Sequence, residues 1–294
     1  MVALKIAAAA LIIVVAVMGG MVGYVYQQAT KLPPMNPAWF LKSPRSPGTR
    51  AAPVVVLVGD SITHGAASAS YVDLLAERAD MDGFLLVNAG INGLLAHGVV
   101  QRLDEIIRCA PDFITILIGT NDAYALLSEE NAQRYVKQWD LPQMPDAVWF
   151  RENLVAIVET LQAETDARLA VLSLPTIGED LDSIAYRRGA EHSQIIKEVA
   201  TERGVTYLPL QERMVDYLQT HPSTQAYPVE EFRRVMYVAL AKRYLLGRSY
   251  DEIAADNGFL LHPDHLHLSE AGAAMVADLI EGFIRDDAAE RASE

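Results

Sequence analysis

The chain has 294 residues, of which 51% are hydrophobic, and its 38 acidic side chains outnumber 24 basic ones for a formal net charge of −14. That length fits one domain of roughly 200 or more residues with extensions, and the acidity argues against nucleic acid as a partner. A single cysteine, Cys109, excludes an internal disulfide and a cysteine-rich zinc site.

The first acidic residue is Asp60, whereas Lys5, Lys31, Lys42, Arg45 and Arg50 precede it. Ile6–Tyr26 contains no charge. About 20 apolar residues suffice to cross a bilayer as a helix, so residues 1–30 read as an uncleaved single-pass membrane anchor. A cleaved signal peptide is the competing reading, but its apolar core would be shorter, and no clean A-x-A site follows. Lys5 and the amino terminus favour an N-in orientation, against the pull of Lys31, Lys42 and Arg45. On that orientation the body of the protein lies outside the cytoplasm. Residues 31–52 are rich in proline, lack periodicity and read as a semi-extended linker. Within it, Trp39 and Phe40 either touch the lipid interface or pack on the domain.

From Pro53 onward, short apolar runs alternate with helical patterns. The expected strands are Val54–Val58, Leu85–Asn88, Phe113–Ile118, Leu169–Leu174 and Val205–Leu208. The expected helices are Tyr71–Ala79, Val99–Cys109, Arg151–Glu164, Ala185–Arg203 and Ser269–Ile284. Such alternation argues for a parallel sheet between two helix layers, a three-layer α/β/α domain over 53–294. Cys109, on one of these helices, reads as a buried small apolar group. Two stretches exceed ordinary connections. Residues 126–150 carry Tyr135, Trp139, Trp149 and Phe150. Residues 211–261 include an apolar-rich helical stretch at Val235–Leu246 and a capping box at Ser249-x-x-Glu252. Both follow strand ends, so they can wall or cover a site there; ordinary helical decoration is the other reading. No G-x-G-x-x-G follows the first strand and no phosphate-binding loop occurs, so nucleotide binding is unsupported.

Val54–Val58 ends in Gly59-Asp60-Ser61, which places a hydroxyl at the carboxyl end of a buried strand, where open α/β sheets bind ligands. Alone, Ser61 reads equally as a turn or helix-cap residue. Leu85–Asn88 runs into Asn88-Ala89-Gly90-Ile91-Asn92-Gly93, Phe113–Ile118 into Gly119-Thr120-Asn121-Asp122, and Asp264-His265-Leu266-His267 stands near the C-terminus. These four blocks, in this order, resemble the SGNH hydrolases, the subgroup of GDSL esterases and lipases named for Ser, Gly, Asn and His. The resemblance spans most of the chain after Pro53. It implies a flavodoxin-like sheet and a cofactor-free serine esterase acting on acyl or acetyl esters of carbohydrate or lipid. It also implies Ser61 as nucleophile, His267 as base and Asp264 as its orienter. The oxyanion hole would comprise the Ser61 and Gly90 backbone N–H groups and the Asn121 amide. The same fold and site could instead transfer acyl groups to another acceptor, or serve a non-catalytic, membrane-tethered binding protein.

Each block has a plainer reading. Gly90 and Gly93 could be turn formers, Asn121 an Asx turn, Asp122 structural and His267 a helix cap. His265 could replace His267 as the base. His262, His265 and His267, perhaps with His64 and Asp60, raise a zinc site as a rival, but their spacing matches no metal signature.

Overall fold

The computed structural model describes residues 2–43, 52–78 and 81–293, with side chains described over 15–43, 52–78 and 81–285. Five strands, Val54–Gly59 (β1), Leu85–Gly90 (β2), Phe113–Leu117 (β3), Arg168–Leu172 (β4) and Thr206–Leu208 (β5), form one sheet ordered β2-β1-β3-β4-β5. Every pairing is parallel, with Val56 opposite Val87 on one side and Ile114 on the other. This is the doubly wound order whose switch point lies at the carboxyl end of β1, beside β3.

Alternation along the strands feeds two cores. Val54, Val56, Val58, Ile114 and Ile116 face helices Ala147–Glu164 and Ile184–Arg203, through Leu154, Ile157, Val158, Ile196 and Val199. Val55, Leu57, Phe113 and Leu172 face helices Leu210–Thr220 and Glu270–Ser293, through Met214, Leu218, Val276 and Ile280. Because β1 is covered on both faces, its unbroken apolar run is what that position requires. Truncating such a core residue, for example Ile116→Ala, costs about 2–5 kcal/mol. Cys109 is buried as expected, and burial pushes its thiol up to about 12.

Element boundaries depart from the sequence reading where caps set the helix starts. The expected helix Val99–Cys109 is two helices, Ala96–Val100 and Leu103–Arg108. The first starts early because the Asp122 carboxylate accepts from the Ala96 N–H at 3.1 Å, and the break leaves Arg102 donating to the Ala89 carbonyl. Helix Ala147–Glu164 begins four residues before its expected start, with the Asp146 side chain accepting from the Trp149 N–H. The expected Ser249–Glu252 capping box is present.

The N-terminal segment is one helix, Val2–Thr30. Among the described residues no helix is long and apolar enough to cross a membrane. The first part of the expected span, 6–14, lies outside the described side chains. From Val15 the helix leaves Val15, Val17, Met18 and Val22 exposed. Its last turns meet helix Phe232–Leu246, where Met21, Val25, Ala29, Leu240 and Leu245 line an apolar groove. The Asn92 side chain donates to the Ala29 carbonyl at 2.7 Å. Of the expected linker, 44–51 lies outside the described residues; the part before it packs on the domain. Met35 accepts from the Asn88 N–H, Phe40 is buried in the core, and Trp39 is exposed.

Candidate active site

Ser61 is placed by a strand–turn–helix. A Cβ on Gly59 would come within 2.1 Å of Thr63 Oγ1 and 2.5 Å of the Leu117 carbonyl, so only glycine lets β1 turn there. Asp60 then caps the turn Ser61–His64, its Oδ1 accepting from the Ile62 N–H at 3.0 Å, and Gly65 ends it at φ 82°. As the first residue of that turn, Ser61 has no intrahelical partner for its own N–H. Its hydroxyl is at the surface of the site, half-buried.

The C-terminal block meets this hydroxyl across 206 residues. His267 Nε2 lies 3.0 Å from Ser61 Oγ, and His267 Nδ1 lies 2.7 Å from Asp264 Oδ2. The other carboxylate oxygen of Asp264 accepts from the Leu266 and His267 N–H groups, which fixes the acid in a tight turn. With Nδ1 donating to Asp264, Nε2 carries the lone pair, and the Ser61 hydroxyl donates to it. Burial disfavours the imidazolium, but Asp264 outweighs it and raises His267 above the ordinary histidine value of 6.5. Burial likewise works against charge on Asp264, and the His267 ring outweighs it, holding that carboxyl below 3.8. Phe232, from the 211–261 stretch, places its ring 5.9 Å from His267.

Asn121 follows β3, beyond Gly119 at φ 122°. Its contacts are remote, so it is not an Asx turn. Nδ2 donates to the Leu94 carbonyl at 3.0 Å and to Asp60 Oδ2 at 3.2 Å. Oδ1 accepts from the Tyr135 hydroxyl at 2.7 Å. Burial raises Asp60 to about 6 and Asp122 to about 7. Asp122 accepts from the Ala96 N–H, in keeping with a structural role.

Gly90 departs from its expected part. Its N–H donates to Asn88 Oδ1 at 3.0 Å, and a Cβ there would lie 2.2 Å from the His64 backbone nitrogen. The crossing of the Ser61–His64 turn by itself requires glycine there. Three residues on, Gly93 sits at φ 71°, half-buried, with its carbonyl accepting from Trp139 Nε1 at 2.7 Å. No hydrogen-bond partner engages its N–H among the described residues. The sequence cue was the Asn92-Gly93 pair, a turn dipeptide that favours a positive φ.

The three C-terminal histidines do not converge. His262 Nδ1 lies 3.1 Å from Glu179 Oε1, His267 belongs to Asp264 and Ser61, and neither ring nitrogen of His265 has a hydrogen-bond partner. Among the described residues, no group of three or more His, Cys, Asp or Glu is placed to hold a metal ion. His64, the other candidate ligand, is buried, and burial lowers it to about 4.

The two long stretches serve different halves of the site. Residues 126–150 supply Tyr135 to Asn121, Trp139 to Gly93 and Phe150 against Gly119. Residues 211–261 supply Phe232 to His267, and the hydroxyls of Tyr244 and Tyr250 both donate to the Ala66 carbonyl.

Comparison with known proteins agrees with this architecture. An acetylxylan esterase of Geobacillus stearothermophilus is 24% identical over 212 residues, covering 65% of this chain and 91% of that protein. A solved variant of Axe2, an acetyl-xylooligosaccharide esterase from the same organism, superposes with a TM-score of 0.55 at 18% identity, covering 78% of this chain and 92% of that one. Solved structures of Axe2 catalytic mutants change a serine, a histidine or an aspartate to alanine. The acetyl xylan esterase AlAXEase superposes with a TM-score of 0.55 at 20% identity, covering 79% and 99%. The family model for the GDSL-like lipase/acylhydrolases matches residues 57–275, three-quarters of the sequence, and the chain belongs to that family of SGNH-type serine hydrolases acting on ester bonds.

Proposed function

We propose that this esterase removes acetyl groups from a carbohydrate by a Ser-His-Asp mechanism, held at a membrane by its N-terminal helix. The observation that carries the mechanism is the continuous line from Asp264 Oδ2 through His267 to Ser61 Oγ, at 2.7 and 3.0 Å. Ser61 Oγ attacks the ester carbonyl carbon as its proton passes to His267 Nε2. The imidazolium is stabilised by the buried Asp264 carboxylate. The same proton then goes to the departing alkoxide, and water, activated by His267, releases acetate from Ser61.

The tetrahedral oxyanion needs donors already in place. The unengaged N–H groups of Ser61 and Gly93 supply two, in place of the spent Gly90 N–H. Asn121 Nδ2 supplies a third by exchanging its longer bond, the 3.2 Å contact with Asp60, for the oxyanion. Tyr135 keeps the amide in the orientation that presents its NH₂ side.

The acetyl preference and the carbohydrate rest on the acetylxylan esterases that the chain resembles. Release of acetate from acetylated xylo-oligosaccharide, abolished in Ser61→Ala, is the expected result; turnover retained by folded Ser61→Ala would contradict the mechanism. The anchor rests on the uncharged run Ile6–Tyr26, on its place in one continuous helix, and on the exposed Val15, Val17, Met18 and Val22. The sequence run from Ile6 to Tyr26 has the length of about 20 apolar residues that a membrane-crossing helix needs. The full chain should stay with membranes through carbonate extraction; release into the soluble fraction would refute the anchor.

A further inference from the structure

The loop that carries Asp264 and His267 runs from Leu260 to Ser269. Ser269 closes its base, the N–H donating to the Leu261 carbonyl at 2.9 Å and the hydroxyl to the Leu260 carbonyl at 3.1 Å. Within the loop, the Asn257 amide donates to the Pro263 carbonyl at 2.7 Å, and Leu268 is tied to Ser68 and Ala69. A further support is a carboxylate. Glu179 follows β4 in the connection to helix Ile184–Arg203. Its Oε1 accepts from the Leu261 N–H at 2.6 Å, the His262 N–H at 3.1 Å and the His262 ring Nδ1 at 3.1 Å. Both of its oxygens lie 3.0 Å from the Leu260 nitrogen. Neither side chain of the Glu179–His262 pair has any exposed surface.

The neighbouring residue extends the hold. The Gly178 N–H donates to the carbonyl of His265 at 2.7 Å, and His265 sits at φ 103°, a backbone conformation that persists only where surrounding structure imposes it. Gly178 and Glu179 thus hold the loop on both sides of Asp264. As mere filling, a buried carboxylate is a poor choice, since well-packed apolar residues serve stability as well or better. Burial works against charge on Glu179, and the His262 ring and the backbone N–H groups outweigh it, holding the carboxyl below 4.5. What a charged acceptor supplies and an apolar side chain does not is direction. Three successive N–H groups aimed at one carboxylate fix the path of the backbone two residues before Asp264. That path matters, because His267 Nε2 must stay within hydrogen-bond reach of Ser61 Oγ, now 3.0 Å away. A displacement of about 1 Å can cost about 10²-fold in rate.

We propose that Glu179 is a positioning residue of the acid–base loop: its carboxylate grips Leu260–His262 and thereby sets where Asp264 and His267 stand relative to Ser61. This rests on the Ser-His-Asp reading above. Such a grip acts on kcat and on the reactivity of Ser61. It leaves affinity for the ester nearly alone, because a side chain with no exposed surface does not meet the substrate.

The test compares the full-length chain with Glu179→Gln and Glu179→Ala. Against p-nitrophenyl acetate, Glu179→Ala should lower kcat about 10–100-fold with KM changed less than about twofold. Glu179→Gln, which keeps one oxygen acceptor at the same reach, should recover part of that loss. The rate at which a fluorophosphonate labels Ser61 should fall by a similar factor, since it reads activation of the nucleophile. The His267 Nδ1 proton, bonded to Asp264, should give an NMR signal that broadens in Glu179→Ala. A purely structural Glu179 would lower the melting temperature and leave kcat, labelling rate and proton signal of the folded variants unchanged; that result overturns the proposal, as does a loss confined to KM. If neither variant folds, amide exchange in the wild-type protein decides. The Leu260, Leu261 and His262 N–H groups should exchange far more slowly than unbonded peptide N–H groups, and exchange as fast as in an open loop overturns the grip. Wild-type protein that neither cleaves the ester nor takes the label defeats the Ser-His-Asp reading instead, and the His267 proton signal then decides the grip by itself.

Discussion

The two halves of the proposed active site are built differently. On the proton-transfer half, each polar atom already faces its partner in the proposed reaction: Asp264 to Nδ1, Nε2 to the Ser61 hydroxyl. On the oxyanion half, no partner engages the Ser61 and Gly93 N–H groups among the described residues, while both Nδ2 protons of Asn121 are committed, to Leu94 and to Asp60. The first half closes a contact between residues 206 apart and is held by one tight turn. The second is assembled from three strand-end loops and pinned by residues 126–150. Prewiring suits a proton that must move between fixed atoms. A donor that trades a weak ground-state bond for a strong one as charge develops gives selective binding of the transition state.

The comparison can be broken most forcefully on the proton-transfer half. Ser61→Ala should lower kcat by about 10⁶, and adding His267→Ala should cost little more, because nucleophile and base act as a unit. Steady-state rates of the two variants check this; strictly multiplicative losses would separate them.

Asp264→Asn should cost about 10⁴, through loss of the correct tautomer. It should also move the pH profile. His267 acts as a base only when neutral, and its pKa lies above 6.5, so wild-type kcat/KM should fall as pH drops through that raised value. Asp264 provides the largest upward influence on His267, so the acid limb of the variant should lie at lower pH. An unmoved limb would assign it to another group.

The oxyanion half predicts smaller effects confined to kcat. Asn121→Ala should lower kcat by about 10²–10³ with KM little changed. A pure KM effect would make Asn121 a substrate-binding residue.

Tyr135→Phe should cost about 3–10-fold in kcat, the worth of one neutral hydrogen bond of about 0.5–1.5 kcal/mol. In the Asn121→Ala background it should cost almost nothing, because Tyr135 acts only through that amide. An equal loss in both backgrounds would give Tyr135 an independent role.

How far the sequence was legible follows the same division. The apolar runs ending at Ser61 and Asn121 identified β1 and β3, because strands buried on both faces need such runs. The three-residue interval between Asp264 and His267 made their contact readable, since a single turn brings them together. The oxyanion loops were harder. Gly90 and Gly93 are both glycine, one for a backbone crossing and one for a positive φ, and only coordinates tell these apart. The early start at Ala96 depends on Asp122, 26 residues away, and the orientation of Asn121 depends on Tyr135 in an insertion. Interactions that close through space leave no period in the chain. His265 was visible as one histidine among three, but its positive φ was not.

The most direct test of the account is covalent. An active-site fluorophosphonate reacts only with a serine activated by a base, so full-length protein labelled to completion and mapped by peptide mass should carry the adduct on Ser61 alone. Label on any other serine, or none on protein that still hydrolyses p-nitrophenyl acetate, would contradict the assignment of Ser61 as nucleophile.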